Sequence, residues 1–175
     1  PQMIPLQVKV IIIGSRQLYY ALQDLDPDFQ EMFRVLVDFD EEIAVGDDSL
    51  EQFAQLLKTR TSEEGMAPLT AAAVARLATY SARLAEHQGR LSARIGDLFQ
   101  LVSEADFVRQ LAGDAITDVG HIERALKAKA DRTGRVSARI IDDMLAGIIL
   151  IDTAGEAIGK CNGLTVLEVG DSAFG

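Results

Sequence analysis

The spacing of the apolar residues constrains this chain more than any other feature. Between about residues 48 and 145 they recur every three to four positions, in five blocks separated by glycine, proline or short polar stretches. That spacing lays apolar side chains along one face of a helix. The flanks follow a different rule. Val8 to Ile13 is a short, β-branched run, apolar on both faces, that closes at Gly14-Ser15. It reads as a fully buried strand of a parallel sheet. Phe33 to Phe39 reads as a second strand. Between the two, the pattern gives a short helix from about Arg16 to Leu25 and a helical turn opened by Asp26-Pro27. After the helical blocks, Ile148 to Asp152, Ile158 to Asn162 and Leu164 to Val169 read as strands around turns at Thr153–Glu156 and Gly163.

The blocks carry their own start and stop signals. Asp48 and Glu51 have capping-box spacing and open a helix to about Thr61, with Leu50, Phe53, Ala54, Leu56 and Leu57 facing inward. Thr70 caps a helix from Ala71 to about Glu86, with Val74, Leu77, Ala78, Tyr80, Ser81 and Leu84 recurring on one face. A third helix covers Ala93 to Ala112, with Ile95, Leu98, Leu101, Val102, Ala105 and Val108 inward and Gly113 as its C-terminal cap. Thr117 caps a fourth, with Val119, Ile122, Ala125 and Leu126 inward. A fifth runs from about Arg135 to Leu145. The expected fold is mainly α with flanking β: an α/β fragment over 1–45, a helical bundle over 46–131, and a linker helix with a β-hairpin over 132–175.

Charge and cysteine usage exclude several functions. A net charge of −10 and a pI near 4.6 repel a phosphate backbone, which disfavours nucleic acid as a partner. Cys161 is the single cysteine. It cannot form an internal disulfide, it has no zinc-site spacing around it, and it reads as a strand residue at least half-buried in a protein of a reducing compartment. No run approaches the roughly 18 apolar residues of a membrane span. His87 and His121 are isolated and suit surface or capping duties, and Asp142-Asp143 suits a solvated helix face. The sequence contains no Gly-x-x-x-x-Gly-Lys-Ser/Thr loop. Asp171-Ser172 lacks the surroundings of a catalytic serine. With Pro1 at one end and Phe174-Gly175 at the other, the chain is expected to be a piece of a longer protein.

Several stretches, in this order, resemble the Lon-related bacterial proteases that carry a divergent AAA+ module. They are Ile4-Pro5-Leu6-Gln7-Val8-Lys9-Val10-Ile11-Ile12-Ile13-Gly14-Ser15-Arg16, Leu18-Tyr19-Tyr20 and Leu25-Asp26-Pro27-Asp28-Phe29. Ala71-Ala72-Ala73-Val74-Ala75-Arg76-Leu77 and Arg90-Leu91-Ser92-Ala93-Arg94 follow. The last are Gly147-Ile148-Ile149-Leu150-Ile151-Asp152 and Gly159-Lys160-Cys161-Asn162-Gly163-Leu164. The order of the segments and the Gly-x-x-Asn-Gly-Leu stretch are the most specific part.

The resemblance implies the end of an AAA+ core over 1–45, an AAA+ lid over 46–131, and the opening of a Lon-type proteolytic domain over 132–175. It places a nucleotide-sensing polar group at Ser15, or at Arg16 by a one-residue slip. Capping the next helix is the alternative for Ser15. Met32 falls where an arginine finger is usual, and Arg34 is a possible substitute or an ordinary surface residue. Arg94 matches the sensor-2 position, where a guanidinium clamps phosphate oxygens and couples nucleotide state to lid angle. Its alternative is a solvated arginine beside Arg83 and Arg90.

For the parent protein the resemblance implies ATP and Mg2+ as cofactors, with none bound tightly by this piece. It implies a hexameric homo-oligomer acting in the cytoplasm on unfolded or damaged proteins, with a serine–lysine dyad that has no match here. Lys160 is not that lysine. The piece alone is expected neither to hydrolyse ATP nor to cut peptides. A degenerate AAA+ lid serving as a scaffold or substrate-docking module is the alternative function. An unrelated acidic helical adaptor is a third, to be favoured if Ile148–Val169 proves helical or disordered.

Overall fold

The computed structural model describes residues 7–163, 165–169 and 172–174, with Asp47, Glu168, Val169 and residues 172–174 described by their backbone alone. Ile4-Pro5-Leu6, Leu164 and Asp171 of the stretches quoted above lie outside the described residues, as does the side chain of Ser172. The chain divides into two compact units, one within residues 1–40 and one from residue 41 onward.

In the first unit, Ser15 takes an extended backbone and its Oγ accepts a hydrogen bond from the Leu18 N–H at 3.2 Å. That satisfies one of the orphan donors at the start of α1 (Arg16–Leu25). After α1 the Asp26 carboxylate accepts from the Asp28 N–H at 3.0 Å and turns the chain into the single-turn α2 (Phe29–Met32). Phe29 is the buried residue here. Its ring meets Tyr19 edge-on at 5.5 Å and Phe33 at 5.2 Å between centroids.

The strands expected over Val8–Ile13 and Phe33–Phe39 are not formed. Both runs are irregular and, apart from the half-buried Phe33, exposed, Ile11 at 85% and Ile13 at 95%. A two-sided apolar strand is stable only when neighbouring strands take its ladder hydrogen bonds and helices cover both faces. Neither run has such a partner among the described residues.

The second unit holds the helical bundle. A two-stranded antiparallel sheet pairs β1 (Glu42–Ala44) with β2 (Arg90–Ser92), Ile43 opposite Leu91. Val45 N–H to Gly89 O and Ala93 N–H to Glu41 O, both 2.8 Å, extend it at either end. Both strands fall where the sequence reads as connector and turn, because three residues are too short for a periodic signal.

α3 (Asp47–Glu63) starts two residues earlier than expected: its cap is Gly46 and not Asp48, and the Ser49 hydroxyl accepts the Gly46 N–H at 2.7 Å. Its buried stripe is narrow, Phe53, Leu57 and Thr61 at four-residue spacing, while Leu50 and Leu56 face solvent. α4 (Ala71–Leu84) is capped by Thr70 as its sequence indicates, and Ala73, Leu77 and Ser81 are its buried face. α5 (Ile95–Ala112) buries Leu98, Leu101, Val102 and Ala105, four of the six residues its period assigned inward. It ends on Gly113, whose φ of +77° is costly for any residue with a Cβ; the Asp114 N–H bonds back to Arg109 O at 3.2 Å.

α6 (Val119–Thr133) is capped by Asp118, not Thr117. Thr117 is buried instead, in an isolated parallel bridge with Leu69. Ile122 and Ala125 enter the core, but Val119 stays 38% exposed. The core joins α3, α4, β2, α5 and α6 through Phe53, Leu57, Leu77, Leu91, Leu98 and Ile122, with α5 and α4 both packed on α6.

α7 (Arg135–Leu145) follows as expected but buries no residue. Beyond it, Ile148–Asp152 and Ile158–Asn162 are not strands. A hairpin does form later, with β3 (Leu167–Val169) against β4 (Ser172–Phe174), so Leu167–Val169 pairs forward and not back across Gly163. Residues 152 and 162 are nonetheless opposite one another. The Asn162 side-chain amide donates to Asp152 O at 2.6 Å and accepts from Asp152 N–H at 3.2 Å, standing in for one rung of a ladder.

Candidate functional site

The β2–α5 junction brings one candidate residue to a defined place. Ser92 ends β2 inside the core, where the Ser81 Oγ on α4 accepts its N–H at 3.0 Å. Ala93 is tied to Glu41 across the small sheet. The Arg94 N–H then donates to Ser92 Oγ at 3.2 Å, and Arg94 becomes the N-cap of α5 with a non-helical backbone. The base of Arg94 is thus fixed by strand, helix and core together. Its side chain, by contrast, is 61% exposed, and its Nη2 lies 2.7 Å from Asp97 Oδ2, one turn along α5. A cation held on a rigid base at the start of a helix, with its head in solvent, can contact an arriving anion without rearranging the fold.

Three other arginines of this unit are paired with carboxylates. Arg90 Nη1 lies 3.0 Å from Glu42 Oε2, across the strand pair. Arg76 pairs with Glu123 and Arg132 with Glu104, which tie α4 and α5 to α6.

The other two candidates belong to the first unit. Ser15 performs the capping role described above. Arg34 is exposed, and its Nε donates to Glu31 O at 3.1 Å. Met32, the last residue of α2, is 62% exposed. Arg16 bonds the Asp38 carboxylate through both Nε and Nη2, at 3.2 and 3.1 Å.

Sequence reasoning missed a buried polar centre beside the bundle. Asp106 on α5 accepts from Arg109 Nε and Gln110 Nε2, both at 2.7 Å, from the Ala67 N–H at 3.2 Å, and from Thr117 Oγ1 at 3.5 Å. It therefore fastens the segments that precede α4 and α6 to one helix. Burial alone pushes its carboxyl up, but the hydrogen bonds from Arg109, Gln110 and the Ala67 amide outweigh that and hold it below the usual carboxylate range. The hydrogen bond to Asp106 in turn raises Arg109. An aspartate three residues before an arginine on the inward half of α5 was the available signal.

His121 is also buried, and it takes the capping duty assigned to it: its Nδ1 accepts the Asp118 N–H at 3.0 Å, and its Nε2 meets Asp114 Oδ2 at 3.0 Å. His87 closes a turn, accepting from the Gly89 N–H. Cys161 is exposed, contrary to the buried or half-buried strand position expected for it, because the strand around it does not form. Among the described residues no group of His, Cys, Asp and Glu side chains is placed to hold a metal ion, and no helix is long and apolar enough to cross a membrane.

Two stretches of the chain match known family models. Residues 68–132 match the family model of the archaeal LonB AAA+ ATPase lid domain, and residues 1–40 match that of the LonB-like AAA domain. A putative Lon protease homolog of Escherichia coli (strain K12) is 27% identical over 166 residues, which is 94% of this chain and 28% of the relative. The chain thus spans under a third of the length of the curated relative it matches.

Proposed function

This chain is a Lon-related AAA+ protein, and from that premise we propose that it couples nucleotide state to the unfolding and degradation of proteins by an ATP-dependent, Lon-type serine protease. Arg94 carries the reading. It sits in the segment that matches an AAA+ lid, on a base fixed by β2 and the core, with an exposed guanidinium. In this reading residues 1–45 end the ATPase core, 46–131 are the lid, and 132–175 lead into the proteolytic domain.

In this reading Arg94 supplies a phosphate-binding fork from the lid, and Ser15 and Arg34 are assigned nucleotide-sensing roles in the first unit. The sequence holds no phosphate-cradling loop, and no metal-binding cluster occurs among the described residues. The cradle, the Mg2+ ligands and the serine–lysine pair are therefore assigned to other parts of the protein. ATP, when bound, supplies the free energy for unfolding. This chain's own contribution is to sense a phosphate at Arg94 and to tilt the helical unit that carries it. A hexameric assembly, a cytoplasmic location and unfolded or damaged proteins as substrates complete the proposal.

The test is made in the full-length protein. Arg94→Ala should slow ATP-dependent degradation of a folded substrate by tenfold or more, on the order of one lost charge-assisted contact, and leave hydrolysis of a short unstructured peptide unchanged. Unaltered ATP-driven turnover would count against the reading. Met32, exposed where a finger arginine is usual, favours a second reading: a lid retained as a scaffold or docking module. Nucleotide titration of the full-length protein separates them, since a scaffold without a working motor has no ATP-stimulated degradation to lose.

A further inference from the structure

The guanidinium that carries the proposed function already has a partner. Arg94 is the N-cap of α5 and Asp97 its third residue, so one helical turn fixes both ends of the 2.7 Å pair. Because Ser92, Ser81 and Glu41 hold the backbone at residues 92–94, any response at Arg94 is a swing of its side chain. The swing runs between the Asp97 carboxylate and an anion arriving from solvent. Both present oxygen acceptors to the same planar set of N–H donors, and a phosphate that takes the Nη2 donor now directed at Asp97 does so at the expense of that contact.

We infer that Asp97 is a positioning residue. It holds Arg94 docked along the first turn of α5 and releases it when a terminal phosphate competes for the guanidinium. The inference rests on the reading of Arg94 as the phosphate-sensing arginine. With Arg94 61% and Asp97 30% exposed, the pair is a bias and not a lock. A multiply charged phosphate displaces it easily, and the contact costs about two- to fivefold in affinity for a nucleotide that reaches Arg94. A carboxylate in the first turn also suits the positive end of the helix dipole. That role would be purely stabilising, and it predicts different results.

The experiment uses the full-length protein and titrates a non-hydrolysable ATP analogue and ADP separately. Asp97→Asn should tighten the analogue by about two- to fivefold and leave ADP unchanged. Asp97→Glu, which restores a carboxylate within reach, should return the wild-type value. In an Arg94→Ala background, Asp97→Asn should have no effect. Equal changes for both nucleotides, or the same change without Arg94, assign Asp97 a general electrostatic or helix-stabilising role and overturn the inference. No change in Asp97→Asn while Arg94→Ala weakens the analogue sinks the positioning role alone. Wild-type binding by Arg94→Ala removes the sensing role and the positioning role with it. Should Asp97→Asn not fold, Asp97→Ser keeps a helix-start acceptor without the charge and is measured in its place.

Discussion

The helical bundle and the stretches on either side of it spend similar apolar residues to opposite effect. Leu57, Leu77, Leu98 and Ile122 are all within about 1% of complete burial, whereas Ile11, Val35 and Leu150 are more than 80% exposed. Hydrophobicity does not separate them; the range of the contacts each pattern requires does. A helix satisfies its backbone within its own segment and needs only one neighbour for its apolar stripe. A strand needs hydrogen-bonding partners on its edges and cover on its faces before any of its side chains is buried. The bundle therefore closes on itself, and Val8–Ile13, Phe33–Phe39 and Ile148–Ile151 do not.

The sharpest way to break that comparison is to truncate one leucine or isoleucine on each side of it. Leu98→Ala should cost the bundle about 2–5 kcal/mol, since a buried leucine leaves a cavity that rigid neighbours cannot fill. Ile13→Ala, at 95% exposure, should change stability by no more than about 0.5 kcal/mol. Denaturant unfolding followed by helical circular dichroism reads both. Comparable losses would mean that the flanking run is part of the same core.

The next effect is polar. Asp106→Ala should destabilise the bundle by about 3 kcal/mol, because it strips partners from Arg109, Gln110 and the Ala67 amide together. The same carboxylate sets an acid limit. Its pKa lies below the 3.8 of an unperturbed aspartate, so the folded state binds its proton more weakly than the unfolded chain does. The stability it contributes is complete above that value and drains away as pH falls below it. Melting temperature followed from pH 6 down to about 3 should drop more steeply in the wild type than in Asp106→Asn. Parallel curves would place the acid sensitivity elsewhere.

The contrast between the two regions also explains what the sequence made legible. Thr70 as a cap, Gly113 as a stop and the inward residues of α5 could be read because each depends on contacts a few residues away. The same locality places Arg94 at a helix start. Its pairing with Asp97 needs only a three-residue spacing, yet it becomes meaningful only once β2 fixes the base. Thr117 was misassigned as a cap for the opposite reason: a non-local bridge to Leu69 and a bond to Asp106, 11 residues earlier, claim it. β1 and β2 are separated by two helices, and nothing in Ile43-Ala44-Val45 names Leu91 as a partner. The expected flanking strands fail at the same step, since a sequence run states that it wants neighbours without stating that the chain supplies them.

A smaller effect sharpens the edge of the bundle. Gly113→Ala forces a Cβ into a left-handed backbone with φ of +77° and should cost about 1 kcal/mol. The space around it is open, so the penalty is conformational. Gly113→Asn, which tolerates that region better, should lose less. Equal losses would point to packing and not to the backbone.

The smallest global effect belongs to the far flank. Asn162 clasps Asp152 through two side-chain hydrogen bonds, but the loop between them has no buried residue behind it. Breaking the clasp with Asn162→Ala therefore removes a local restraint and no core contact. Unfolding of the bundle should shift by less than about 0.5 kcal/mol. Limited proteolysis between residues 152 and 162 should nonetheless accelerate several-fold, because cleavage follows the local opening equilibrium and not the global one. If bundle stability falls together with loop protection, the flank and the bundle unfold as one unit, and the division between self-contained helices and unsupported strands does not hold there. If the loop is cut no faster, the apparent rung at Asn162 is dispensable, and other contacts order the loop.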